Sequence, residues 1–308
     1  MKNAITNYEN TFYLKGAALS GVTSVDGSYN VDYKPINTIG KGFNKQVMAS
    51  VPTAELSVSR YLTNNDPAFN LTGDGSSYTA KSVNGGLYYQ NKYFSFQKGY
   101  LSSIGINCSV GEVPTIETSF DIFGDIGPGF NPSGTSYAGG VFVPQVKNIT
   151  LTCKNSSTNR VKDFKVDFST PKQAIYALSE TNSQLPVEVH NAFPIEITSN
   201  FTLEIDDYET KTAFQDLTSN GETNFDIRIS GTILLDTPLT LSSGNDVPFH
   251  ASSGSTSEYI LNAYEKNIED AVPIFNFSVS DAIIVSERIN SSSEDLLSVN
   301  LSYKAYLN

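Results

Sequence analysis

Gly99 to Asp125 reads GYLSSIGINCSVGEVPTIETSFDIFGD. A serine-rich apolar run comes first and an alternating run second, the period of a strand with one buried face. Between them Gly111-Glu112 fits a two-residue type II′ turn with glycine first. Pro114 points to an edge position, because proline cannot donate to a central ladder. The stretch therefore reads as a β-hairpin that closes a unit. A related stretch closes the chain, Phe277–Asn308, FSVSDAIIVSERINSSSEDLLSVNLSYKAYLN. It has the same build of serine-rich apolar strand, short acidic turn and alternating strand. If the two closings correspond, the chain is one fold written twice, and these strands are neighbours in a sheet that runs from one unit, or one subunit, into the next.

Composition agrees with an all-β chain. The 308 residues are enough for two domains, each able to bury a core. A hydrophobic fraction of 39% with only 17% charged residues excludes a charge-rich disordered chain or a coiled coil. Tyr (17) and Phe (18) are plentiful while Trp is absent, which disfavours a glycan-binding platform. Residues 1–140 carry 9 Lys/Arg against 10 Asp/Glu, whereas residues 141–308 carry 11 against 22. Without a basic patch to release counterions, adhesion to nucleic acid is disfavoured. The first 21 residues lack a secretory apolar core, being interrupted by Glu9 and Lys15, and no apolar run reaches transmembrane length. A soluble protein without a cleavable signal is expected, and glycosylation at the Asn70, Asn148, Asn200, Asn276 and Asn300 triplets is not.

Taken in order, residues 1–16 form an arm or first strand. Leu19–Tyr33 predicts a hairpin turning at Asp26-Gly27, with Tyr29, Val31 and Tyr33 on one face. Pro35–Asn44 reads as a turn-rich connector, in which Gly40-Lys41-Gly42 lacks the spacing of a phosphate loop. Val47–Tyr61 is a strand with Leu56 and Val58 on one face and Glu55, Ser57 and Ser59 on the other. Asp66-Pro67 signals a turn. Residues 72–77 and 83–86 read as loops and 87–96 as one strand; an insertion here would reach a neighbouring subunit. Residues 126–143 are crowded with Gly and Pro and read as a linker, placing the boundary near residue 140.

The order then restarts. Strands are predicted at Val146–Cys153 and Val161–Phe168, with a turn at Asn155–Asn159 between them. Phe164, Val166 and Phe168 echo Tyr29, Val31 and Tyr33, and Pro171 echoes Pro35. Residues 185–209 hold one long or two short strands, with Phe201, Leu203 and Ile205 on one face. Two further strands are predicted within 221–241 and a core-packing helix over Glu258–Asp270.

No catalytic constellation can be assembled. His190 and His250 are far from each other and from Cys108 and Cys153, which read as buried or half-buried thiols rather than metal ligands. Asp206-Asp207 and Glu294-Asp295 are adjacent pairs, which point to opposite faces of a strand and cannot share a proton, nor do they have calcium-loop spacing. The chain is expected not to be an enzyme and to have no catalytic, metal or cofactor site.

Three stretches resemble the tail tube protein family of tailed bacteriophages: SYNVDYKPINTIGKGF (28–43), AELSVSRYLTNNDP (54–67) and INCSVGEVPTIETSFDIFGD (106–125). The second half lacks the Ser-Arg and Asp-Pro signals and joins the likeness only through the internal repeat. The resemblance implies a mainly β chain of two tandem β-sandwich or open β-barrel domains, 1–140 and 141–308, each with at most one short flanking helix. It implies a virion structural protein whose sheets join across subunits into a barrel around a channel. Six single-domain subunits, or three tandem ones, make a ring; rings stack into the tube through which DNA is ejected. Implied partners are further copies of the chain, the terminator, tape measure and baseplate or hub proteins, a sheath where one is present, and DNA in transit, with no membrane. A tail hub or tip component, a capsid decoration protein and an adhesin-like module are the competing β-rich readings.

Overall fold

The computed structural model describes residues 10–31, 33–38, 41–48, 53–63, 66–71, 79–89, 92–124, 126–128, 130–132, 135–136, 149–153, 156–176, 185–204, 223–230, 273–290 and 297–307. They form a mainly β chain. The N-terminal series comprises β1 (Asn10–Leu14), β2 (Ala17–Ala18), β3 (Val22–Asn30), β4 (Tyr33–Thr38), β5 (Lys41–Met48), β6 (Thr53–Tyr61), β7 (Ser82–Tyr89), β8 (Lys92–Ser109) and β9 (Thr115–Ile122). Two short strands follow, β10 (Ile126–Gly127) and β11 (Thr135–Ser136). The C-terminal series comprises β12 (Ile149–Cys153), β13 (Ser156–Thr158), β14 (Val161–Ser169), β15 (Lys172–Ile175), β16 (Glu188–Asn191), β17 (Ile195–Glu204), β18 (Thr223–Ser230), β19 (Pro273–Asn290) and β20 (Ser298–Leu307). The helix expected at 258–270 and the boundary near residue 140 lie outside the described residues.

The long strand β8 organises the N-terminal series. Its first half pairs with β7, which continues to β1 and β2. Its second half pairs with β9, which continues to β6 and β3. The two branches face each other across a core. Phe96 on the first half of β8 meets Phe120 on β9 with ring centroids 6.1 Å apart, and both are fully buried. Each such ring contributes roughly 2–3 kcal/mol by leaving water.

The C-terminal series repeats this scheme strand for strand. β19 pairs through its first half with β18, then β12 and β13, and through its second half with β20, then β17 and β14. Irregularities fall at matching places. The β8–β9 ladder shifts between Leu101 and Ser103, and β19–β20 between Ile284 and Ser286. The β3–β6 ladder shifts between Val22 and Ser24, and β14–β17 between Val161 and Asp163. The β7–β8 ladder shifts between Val83 and Gly85, and β18–β19 between Thr223 and Phe225. Bulges are specific features of a ladder rather than defects, so these coincidences align the two series residue by residue. The hairpin β4–β5 sits between β3 and β6 as β15–β16 sits between β14 and β17.

Several local expectations are corrected. Asp26-Gly27 makes no turn: β3 runs straight through it, held by β6 on a ladder in which Asp26 opposes Ser57 and Gly27 opposes Leu56. The turn lies upstream at Lys15-Gly16, where both φ are positive (51° and 78°). Residues 35–38 and 41–44 are not a connector but contribute to the hairpin β4–β5. Residues 83–86 are strand rather than loop. Gly85 and Gly86 are required by close approach: a Cβ on Gly85 would sit 2.8 Å from the Tyr13 carbonyl, and one on Gly86 would strike Ser95. Residues 87–89 belong to β7 and 92–96 to β8, with Tyr89 opposite Lys92. Val47 belongs to β5, and residues 156–158, expected in a turn, form β13. Gly111 has a φ of +84° but is the third residue of a turn closed by Glu112 N–H to Ser109 O (3.2 Å), so the turn is shifted by one from the II′ reading. The bulges also move the echo within the repeat: Phe164, Val166 and Phe168 match Val25, Gly27 and Tyr29, not Tyr29, Val31 and Tyr33. Pro35 lies inside β4, whereas Pro171 precedes β15, so those prolines do not correspond.

Candidate functional site: a seam and two open edges

The two series join edge to edge. β14 leaves its own series on one side and pairs with β8, from Asp163 opposite Ser109 to Ser169 opposite Ser103. The ladder extends at both ends, by Val110 N–H to Lys162 O (2.9 Å) and Thr170 N–H to Ser102 O (2.8 Å). The Thr170 hydroxyl, buried, also donates to Leu101 O at 2.7 Å. On the core side Ile104, Ile106 and Cys108 oppose Phe168, Val166 and Phe164, and all but the half-buried Phe168 are buried.

The hairpin β15–β16 clamps the seam. Ala80 N–H donates to Val189 O (2.9 Å) and Thr79 bridges to His190. Tyr100, Ala80 and Val189 form a small buried cluster with Phe123 and Ala174 against it. Beneath it, burial brings Lys172 down to about 8 against the opposing pull of Asp121, whose carboxyl is raised by burial. Lys172 donates to Asn191 Oδ1 at 2.7 Å.

Among the described residues the equivalent edges at the other ends of the series carry no strand. β3, the counterpart of β14, pairs only with β6. The second half of β19, the counterpart of the seam half of β8, pairs only with β20. Several exposed apolar side chains lie there: Tyr29 on β3, and Ile283, Val285 and Ile289 on β19, each about half exposed or more. Tyr306 and Ile283, the counterparts of Phe123 and Tyr100, lie open (48% and 49%) where Tyr100 is 8% exposed beneath its clamp. An apolar edge of this kind associates unless it is covered.

The face away from the core is polar across the seam. Ser57 and Ser119 share a hydrogen bond (2.9 Å), Thr202 donates to Asp163 (2.9 Å), and Lys304 to Glu196 (2.6 Å). Alternation puts Asp26, Glu55, Glu117, Asp167 and Glu204 on this face against few cations, Lys165, Arg288 and Lys304.

The Ser-Arg and Asp-Pro signals meet in space. Arg60 on β6 and Asp66 are each 1% exposed and form a two-point ion pair, Nε to Oδ2 at 3.1 Å and Nη2 to Oδ1 at 2.6 Å. Arg60 Nη1 donates to Thr118 Oγ1 (3.1 Å), and Asp66 Oδ1 accepts from Ala68 N–H (2.9 Å) at the start of the 3-10 helix Pro67–Leu71. Each of the three guanidinium nitrogens donates to a protein partner, so the pair is a structural post.

The remaining sequence candidates do not converge. His190 Nε2 lies 3.1 Å from a Glu188 carboxylate without hydrogen-bond geometry. His250, Asp206-Asp207, Glu294-Asp295 and the side chain of Cys153 lie outside the described residues. Among the described residues no group of three or more His, Cys, Asp or Glu could hold a metal ion. Cys108 is a free, buried thiol; burial first, and then the Asp163 carboxylate, push it up to about 12. At pH 8.5 its thiolate population is therefore on the order of a thousandfold below that of an exposed cysteine. Peptide-resolved alkylation should leave Cys108 unlabelled in the native protein and label it after denaturation; labelling within minutes in the native state would mean that the seam opens.

No protein family and no curated protein matches the chain.

Proposed function

We propose that the chain is a virion structural protein of tail-tube type, two tandem β domains that assemble with further copies into a ring, the rings stacking into a channel for DNA. The observation that carries this is the β8–β14 seam together with the same two edges left open on β19 and β3. A chain that joins its own two units edge to edge, and whose matching edges carry no further strand among the described residues, is built to continue the sheet. Closure into a ring pairs every edge and removes the aggregation liability of an open one. Three copies contribute six units, the pseudo-hexameric ring that the sequence resemblance implies. The polar, predominantly acidic face suits the wall of a wet channel along which a polyanion slides without adhering.

Negative-stain electron microscopy of the purified protein tests the reading, with particle mass measured alongside. Six-lobed rings of three-chain mass, and tubes built from them, are expected. A monomer at tens of micromolar that forms neither would sink it. Within such an assembly, densitometry of purified particles separates a repeating tube subunit (many copies) from a hub (few).

A further inference from the structure

The internal seam is a template, and the bulge alignment transfers it to the open edges without free choice of register. Counterparts of β8 lie 183 positions later in β19, and those of β14 lie 139 positions earlier in β3. We infer that β19 pairs antiparallel with β3 of a second copy in one register, with Arg288 opposite Ser28, Asn290 opposite Asp26, Ile289 opposite Gly27 and Glu287 opposite Tyr29. This inference rests on the ring-forming reading above and adds to it the partner strand, the register and the chemistry of the contact.

Three observations beyond the template support a second copy as the occupant. Both edges are apolar where a partner strand would cover them and polar on the other face, as in the seam already formed. Both carboxylate oxygens of Glu287 are buried with no hydrogen-bond partner, and Glu287 stands where the seam has Ile104. A buried acceptor without a donor is costly, and the template brings it the one residue on β3 with a hydroxyl and an apolar body, Tyr29, in place of Phe168. Finally, Ile283 and Tyr306 are uncovered at the place where β15–β16 clamps Tyr100 and Phe123, and β4–β5 of the next copy is the hairpin in the corresponding position. The intermolecular seam is thus a polar variant of the internal one, with an acid and a phenol exchanged for an isoleucine and a phenylalanine.

The hydrogen bonds Val110 N–H to Lys162 O and Thr170 N–H to Ser102 O place the even-numbered residues of β8 in hydrogen-bonded pairs. Gly105–Asp167, and with it Arg288–Ser28, is then a non-hydrogen-bonded pair, whose Cα atoms approach to about 4.5 Å, at the short end of the disulfide span and with side chains adjacent. The double variant Ser28→Cys/Arg288→Cys, oxidised under native conditions, should give a non-reducing ladder of dimer and covalently closed trimer. Each single variant and the opposite-face pair Ser28→Cys/Ile289→Cys should stay monomeric on the gel. Tyr29→Phe and Glu287→Leu should each change the association constant, and combined should be non-additive. Assembly without the cross-link, or with a register-shifted pair cross-linking instead, would overturn the inferred register while leaving ring formation standing. A cross-link formed within one chain, or no self-association at all, would overturn both.

Discussion

Replacing Val285 and Ile289 by lysine is expected to abolish self-association while leaving the chain folded. Both side chains are about half exposed in the single chain (54% and 55%), and surface changes of this kind typically alter stability by no more than ~0.5 kcal/mol. In the seam the counterpart of Ile289 is Ile106, which is 2% exposed. Burying an isoleucine there contributes roughly 1.5–3 kcal/mol, and forcing an unpaired ammonium into its place costs more. A loss of about 3 kcal/mol per seam weakens association by more than a hundredfold. Because a closed ring needs every seam, the species at micromolar concentration should be a monomer. Edge lysines are also the device by which β proteins avoid pairing. Sedimentation analysis with far-ultraviolet circular dichroism reads both quantities. Retained assembly within a few-fold of wild type would remove β19 from the interface. The contrasting variant is Val166→Lys: it lies in the internal seam at 1% exposure, and there the same charge should unfold the protein.

Much of the fold could be read from alternation. Leu56 and Val58 on β6, Phe164 and Val166 on β14, and Phe201 and Leu203 on β17 are all buried on the face that the sequence period assigns them. Where local chemistry misled, a tertiary partner had outweighed it. Asp26-Gly27 is a strong hairpin dipeptide, yet β6 offers that backbone a full ladder. The two glycines at 85–86 look like loop residues but are there because strands β1 and β8 pass too close for side chains. That the sheet would run from one unit into the next was legible in the two closings, but the strand that carries it across, β14, was not. Ile104, Ile106 and Cys108 announce a buried face, but nothing in their spacing says that the neighbouring strand begins at Val161 rather than within the same half. The repeat was visible only in outline because it is kept by pairing and bulge position, not by residue identity. Residues that occupy the same place have changed polarity, as Ile104 and Glu287 do at the seam.

The Arg60–Asp66 pair tests that last point inside the core. By the bulge alignment the place of Arg60 is held in the C-terminal series by Leu203, and that of Thr118 by Leu301, both buried at 3% or less. The same architecture therefore accepts an ion pair in one series and packed leucines in the other. Removing one partner is a different matter. Arg60→Leu leaves the Asp66 carboxylate buried at 1% exposure without its cation, and such losses cost ~3–5 kcal/mol. For a unit of this size that corresponds to a fall in melting temperature of roughly 10 °C. The triple variant Arg60→Leu/Asp66→Asn/Thr118→Leu copies the leucine pair, removes the stranded charge and retains an oxygen for the Ala68 N–H; it should recover to within ~1–2 kcal/mol of wild type, since well-packed apolar groups replace buried ion pairs at little cost. Urea midpoints, measured in the Val285→Lys/Ile289→Lys background so that association does not enter, give both numbers. A single variant costing under ~1 kcal/mol, or a triple variant as unstable as the single, would show that the pair and the leucines are not alternative solutions to one packing site.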